Sequence, residues 1–218
     1  MKSFFLITIS TIILYASSIF SEGYISKLEP DSPIVQSKST YKVLVERDIT
    51  YGEGLSHANW NSSKSKTMPL KLDIYTPEND IKNRPVYMFV HGGGFAGGSK
   101  NQGKIINLAN YYTSRGWVFV SINYRLKKNK GSIPQKWYDH SKKLPNSSKI
   151  EQYYAIYPAI RDSKAALRWI VANAETYNIN TDYITVGGAS AGAITAISIG
   201  VSNLVESGGQ LAMLDLSA

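Results

Sequence analysis

The chain has 218 residues, 43% of them apolar, and a formal charge of +8, which is enough for one sizeable core and predicts a single domain. It contains no cysteine, which excludes a disulfide framework, a thiolate nucleophile and a lipid-bearing cysteine. Its three histidines, at positions 57, 91 and 140, have no metal-ligand spacing and no H-E-x-x-H pattern, so no metal and no cofactor are expected.

Lys2 precedes an apolar stretch over residues 4–16, with Ala16 and Ser18 spaced as in a small-residue cleavage site. This layout predicts a secretory signal peptide over residues 1–18, a mature terminus near Ile19 or Glu22, and a secreted or extracytoplasmic protein. The rival reading is a membrane anchor, but the stretch falls short of the ~20 apolar residues that a span needs. No stable membrane span is therefore expected once the signal is removed. Residues 19–40 are rich in Ser, Pro and charge without periodicity, and read as an extended lead-in to a domain over residues 41–218.

Residues 41–50 and 70–75 alternate apolar and polar side chains, as half-buried strands do, and the Asn/Ser/Lys-rich stretch between them reads as a connection. Residues 85–90 form a continuous apolar run, suited to a parallel strand covered on both faces. Ile105, Leu108, Ala109 and Tyr112 recur at helical spacing and predict a helix ending near Arg115 and Gly116. A second buried strand follows over residues 117–122.

Residues 127–157 then interrupt the alternation of strand and helix, and read as a long insertion of the kind that forms lids or binding loops. Between positions 126 and 150, Lys127, Lys128, Lys130, Lys136, Lys142, Lys143 and Lys149 are opposed only by Asp139. A solvated loop and attraction to an anionic surface both remain open; nucleic acid is not expected, because no recognised binding motif accompanies the charge. Pro158 suits a first helical turn, and the apolar positions from Ile160 to Ala174 mark a helix face. Asp162, placed in that first turn, is read as a carboxylate stabilised by the helix dipole. Residues 183–186 form another buried strand, and residues 191–201 a helix. Strands alternating with helices give an α/β class with a mostly parallel sheet.

Two glycine-rich segments carry the chemistry. Gly188-Ala189-Ser190-Ala191-Gly192 fits G-x-S-x-G, a strand-to-helix turn that exposes a serine hydroxyl, and His91-Gly92-Gly93-Gly94-Phe95 fits the loop whose backbone N–H groups face that serine. A serine is a weak nucleophile until a neighbouring base takes its proton. Fixed N–H donors stabilise the negative charge that the substrate carbonyl oxygen gains during acyl transfer. The alternative is a pair of tight turns that serve packing or cradle a phosphate, although neither the P-loop nor the dinucleotide fingerprint is present.

With Leu72-Asp73-Ile74-Tyr75, Asn123-Tyr124-Arg125-Leu126, Asp162 with Ala166-Leu167-Arg168-Trp169-Ile170, and Asn180 to Val186 leading into GASAG, residues 41–201 resemble the α/β-hydrolase superfamily. The resemblance is to its carboxylesterase and hormone-sensitive-lipase-like esterase branch. It implies an α/β-hydrolase fold, N-terminal part only, with Ser190 as nucleophile and the backbone N–H groups of Gly93, Gly94 and Ala191 as the oxyanion hole. His91, Gly92, Gly188 and Gly192 would shape the two turns.

No histidine follows Ser190, and Asp215 comes too early to be the family's acid. The resemblance thus implies a chain that stops short of its catalytic acid and base, both expected beyond residue 218. His57 and His140 read as solvated or locally bonded. Small-molecule or acylated-polymer esters are the implied substrates, and a catalytically inactive binding or adhesion protein on the same fold is the alternative. Asn61 and Asn146 begin glycosylation sequons.

Overall fold

Apolar runs without polar alternation must be covered on both faces, and the two such runs become the centre of the sheet. A computed structural model describes residues 32–144 and 147–201. The proposed signal peptide, Asn146 and Asp215 lie outside the described residues.

The sheet has five strands: β1 (Val43–His57), β2 (Ser65–Pro77), β3 (Arg84–Val90), β4 (Val118–Ile122) and β5 (Ile179–Gly188), in the order β1-β2-β4-β3-β5. β4, β3 and β5 are mutually parallel, whereas β1 pairs β2 and β2 pairs β4 antiparallel. The helices are α1 (Gly103–Thr113), α2 (Gln135–Ser141), α3 (Ile150–Ala172) and α4 (Ala191–Val201).

Side chains alternate faces along a strand, so each central strand serves two cores. On one face Val86, Met88, Val90, Val118, Val120 and Ile122 pack with Ala155, Ala159, Ala166 and Ile170 of α3. On the other, Tyr75, Phe119 and half-buried Tyr87 and Phe89 pack with Ile105 and Ala109 of α1. Tyr87 meets Tyr112 edge-on at 4.9 Å and Phe119 at 5.5 Å, the geometry aromatic quadrupoles favour. Phe119 is fully buried, and burying such a side chain contributes about 1.5–3 kcal/mol.

Three boundaries differ from expectation. The first two strands form a long hairpin, not two short strands with an extended connection: pairing continues through Gly54↔Met68 to His57↔Ser65, and residues 58–64 alone join them. The outer arm is exposed on most of its positions, so backbone pairing holds it and no apolar period marks it. A register shift between Glu46 and Ile49 places Asp48 at φ 58°. There fully buried Asp73 accepts from the Asp48 N–H at 2.9 Å and pairs with Lys100 Nζ at 2.5 Å.

The second difference is that α3 begins at Ile150, so Pro158 stands inside it and not in its first turn. An internal proline removes one backbone hydrogen bond. Buried Tyr154, Ala155, Pro158 and Ala159 supply the packing that carries the helix through. The insertion is accordingly helical over much of its length, with α2 and two 3₁₀ turns (Lys127–Asn129 and Ser147–Lys149).

The third follows from the second. Asp162 lies mid-helix, far from any dipole terminus, and its burial raises its carboxyl while Arg125 opposes that rise. It accepts from Arg125 Nη2 at 2.7 Å, Nε at 2.9 Å and the Arg125 backbone N–H at 2.8 Å.

Candidate active site

The parallel register of β3 with β5 aligns Val90 with Gly188. The HGGGF loop and the GASAG turn therefore leave the sheet side by side at the same edge, although 99 positions separate His91 from Ser190. The Ala189 N–H donates to the Val90 carbonyl at 3.3 Å across this junction. A Cβ on Gly92 would lie 2.6 Å from the Ala189 carbonyl oxygen and 3.4 Å from Ser190 Cβ. A Cβ on Gly188 would lie 2.6 Å from the Val90 carbonyl oxygen, and one on Gly192 would collide with that same oxygen. The two turns close this tightly because two positions of the elbow and one of the facing loop lack side chains.

Ser190 is exposed and has φ 53°, a left-handed conformation that costs a non-glycine residue of order 1–3 kcal/mol and clusters at functional sites. Its carbonyl accepts from the Ala193 and Ile194 N–H groups at 2.9 and 3.1 Å, which starts α4. Ala191 is buried as the first residue of α4, so its N–H precedes the helix's internal ladder. Gly93 at φ 125° and Gly94 at φ 59° turn the facing loop. The Gly93 carbonyl accepts from Ala96 and Gly97 N–H at 3.0 and 3.1 Å. Among the described residues neither the Gly93 nor the Gly94 N–H donates to a turn or loop carbonyl. The structure thus brings together the serine and both glycine-rich turns.

His91 is buried, stacks on Tyr124 with ring centroids 4.4 Å apart, and donates from Nδ1 to the Gly92 carbonyl at 2.8 Å. Burial holds its pKa below the ordinary histidine value, so the ring is neutral. His57 sits at the end of β1 and His140 in the last turn of α2. Among the described residues no group of three or more His, Asp or Glu could hold a metal, and no helix is long and apolar enough to cross a membrane.

Local patterns pass over the residues that brace the loop. The Tyr124 hydroxyl donates to the His91 carbonyl at 2.8 Å, the Lys100 N–H to Asn123 Oδ1 at 2.7 Å, and the Lys127 N–H to the Phe95 carbonyl at 2.8 Å. Gln152, in the first turn of α3, approaches Gly94: a Cβ there would lie 3.3 Å from Gln152 Nε2. Asn123 and Tyr124 stand in the segment that carries the family resemblance; Gln152 has no sequence signal.

Comparison with known proteins bears on this arrangement. The family described as BD-FAE matches residues 72–145 and 149–214. Juvenile hormone esterase of Heliothis virescens is 25% identical over 202 residues, covering 88% of this chain and 32% of that protein. Carboxylesterase 1C of Rattus norvegicus is 28% identical over 189 residues, covering 82% and 31%. The chain spans about a third of the length of these curated relatives. Among solved structures, Thermogutta terrifontis esterase 2 phosphorylated by paraoxon is similar with a TM-score of 0.48 and 21% identity, covering 71% of this chain and 46% of that one.

Proposed function

The chain belongs to the BD-FAE family, an α/β-hydrolase family of carboxylesterase type, and from that premise we propose that it is a serine hydrolase that cleaves carboxylic esters through an acyl-enzyme on Ser190. The observation that carries the proposal is the exposed Ser190 at φ 53°, set against a loop whose glycine N–H groups have no turn or loop acceptor among the described residues.

In this reading Ser190 Oγ attacks the ester carbonyl carbon as a histidine takes its proton. The N–H groups of Gly93, Gly94 and Ala191 receive the developing oxyanion; losing one such donor typically costs ~10²- to 10³-fold in rate. The protonated histidine returns its proton to the departing alkoxide, and water then releases the acid by the reverse sequence. His91 is not that histidine, since its ring is buried, stacked on Tyr124 and committed from Nδ1 to the Gly92 carbonyl. No histidine of this sequence follows Ser190, so the base and its orienting acid are not assigned to residues of this chain. The substrates proposed are small-molecule esters or ester groups on an acylated polymer.

The competing reading is a binding protein on the same fold. It draws on the fact that, among the described residues, no histidine is hydrogen-bonded to Ser190. Turnover of short-chain aryl esters by the full product of the coding sequence separates the two. Ser190→Ala should reduce it by at least ~10³-fold, and unchanged turnover would remove Ser190 from the mechanism. We propose further that residues 1–18 direct export; sequencing the secreted protein should find a terminus near Ile19 or Glu22, and an intact Met1 in the cytosol would refute it.

A further inference from the structure

We propose that Ser132 and His57 form a second nucleophile and base pair, independent of Ser190, which takes an acyl group from small uncharged carboxylic esters. His57 Nδ1 lies 2.7 Å from the Ser62 carbonyl oxygen. A carbonyl only accepts, so Nδ1 carries a proton, and in the neutral ring this leaves the lone pair on Nε2. Nε2 lies 2.8 Å from Ser132 Oγ, and the hydroxyl therefore donates to it. This is the arrangement that activates a serine: hydroxyl on base, and base oriented by a third group.

The pair is brought together across 75 positions of sequence. Asn61 clamps Ile133 from both sides, with Nδ2 donating to its carbonyl at 2.8 Å and Oδ1 accepting from its N–H at 3.0 Å. Lys130 Nζ donates to the Ala58 carbonyl at 2.7 Å. One neighbour of each member, Ile133 beside Ser132 and Ala58 beside His57, is thus tied to the opposite segment of chain.

Ser132 is exposed and borders a cavity of about 460 Å³, within the ~300–1,000 Å³ range of small-molecule sites. Leu55, Ile133 and Tyr157 provide apolar wall. Arg161 also lines it and makes no ion pair or hydrogen bond among the described residues, so its guanidinium is the group available to the negative charge that develops on the carbonyl oxygen. Glu53, on the same cavity wall, disfavours an anionic ester. Along α3 the lining residues Tyr157 and Arg161 stand five and nine residues beyond Gln152, about 7.5 and 13.5 Å along the helix axis.

In the step proposed, Ser132 Oγ bonds to the ester carbonyl carbon and its proton passes to His57 Nε2. The bond from that carbon to the alkoxide oxygen breaks, and the alkoxide leaves with the proton from His57. Water then adds to the acyl carbon, gives its proton to His57, and Ser132 departs and recovers it.

The test uses the full chain carrying Ser190→Ala, treated with a fluorophosphonate and mapped by peptide mass spectrometry. An adduct on Ser132 is expected, and in a further His57→Gln background its formation should slow by ~10²-fold or more, the scale of general-base assistance. Unchanged far-UV dichroism and melting of the His57→Gln protein would show that the loss is chemical; a Ser132→Ala variant should carry no adduct. No adduct on Ser132, or equal rates with histidine and glutamine at position 57, would overturn the proposal.

Discussion

Replacing Asp162 with leucine should lower the unfolding free energy by about 3–5 kcal/mol, the cost of leaving a buried charge without its partner. The structure sets that scale. Asp162 is 2% exposed and Arg125 8%, and the carboxylate receives the Arg125 Nε, Nη2 and backbone N–H groups within 2.7–2.9 Å. Leucine accepts none of these, and water has little access to replace it. A carboxylate acting only on a helix dipole would contribute about 0.3–1 kcal/mol, so the two accounts differ several-fold. Urea unfolding followed by tryptophan fluorescence measures the difference, provided the slope with denaturant stays constant. Exchanging both members for apolar residues, Arg125→Met with Asp162→Leu, should recover most of the loss, because a buried pair itself contributes little net stability. A single-variant loss below 1 kcal/mol would refute the reasoning.

His91 gives a pH dependence. Burial holds its folded pKa below the ordinary value of 6.5, so the unfolded chain binds the proton first and stability falls as pH drops below about 6.5, at up to ~1.4 kcal/mol per pH unit until the folded value is reached. Unfolding free energies measured at steps from pH 7.5 to 5 should slope accordingly, and His91→Asn should flatten the curve; equal slopes would contradict a neutral buried ring. Gly192→Ala would drive a Cβ against the Val90 carbonyl, and should destabilise by about 1–3 kcal/mol while slowing phosphonylation of Ser190 at least tenfold, both measurable on one preparation by melting and by labelling. Wild-type labelling in that variant would show that the elbow does not need this close approach.

The central strands are legible because their chemistry is local: residues 85–90 are apolar without interruption and Val118–Ile122 is broken only by Ser121, and that pattern leaves no exposed face. Both glycine-rich turns were legible for the same reason, since each carries its own punctuation. What no local pattern holds is their neighbourhood, which arises from the pairing of Val90 with Gly188. The outer hairpin leaves no local signal because its pairing is made by backbone, and exposed strands need no apolar period. The start of α3 differs from its local signal because Pro158 suits a first turn by propensity, whereas burial of Tyr154 and Ala155 carries the helix through it. That shift also changes the meaning of Asp162, whose partner Arg125 lies 37 positions away. His57 and Ser132, 75 positions apart, were beyond any local signal.

The most direct test of the central proposal is site-resolved fluorophosphonate labelling of the protein, because an organophosphorus group transfers fastest to an accessible nucleophile that is already activated. The account predicts an adduct on Ser190 that is absent from Ser190→Ala and whose formation parallels loss of ester turnover. A fully active protein with Ser190 unmodified would contradict it.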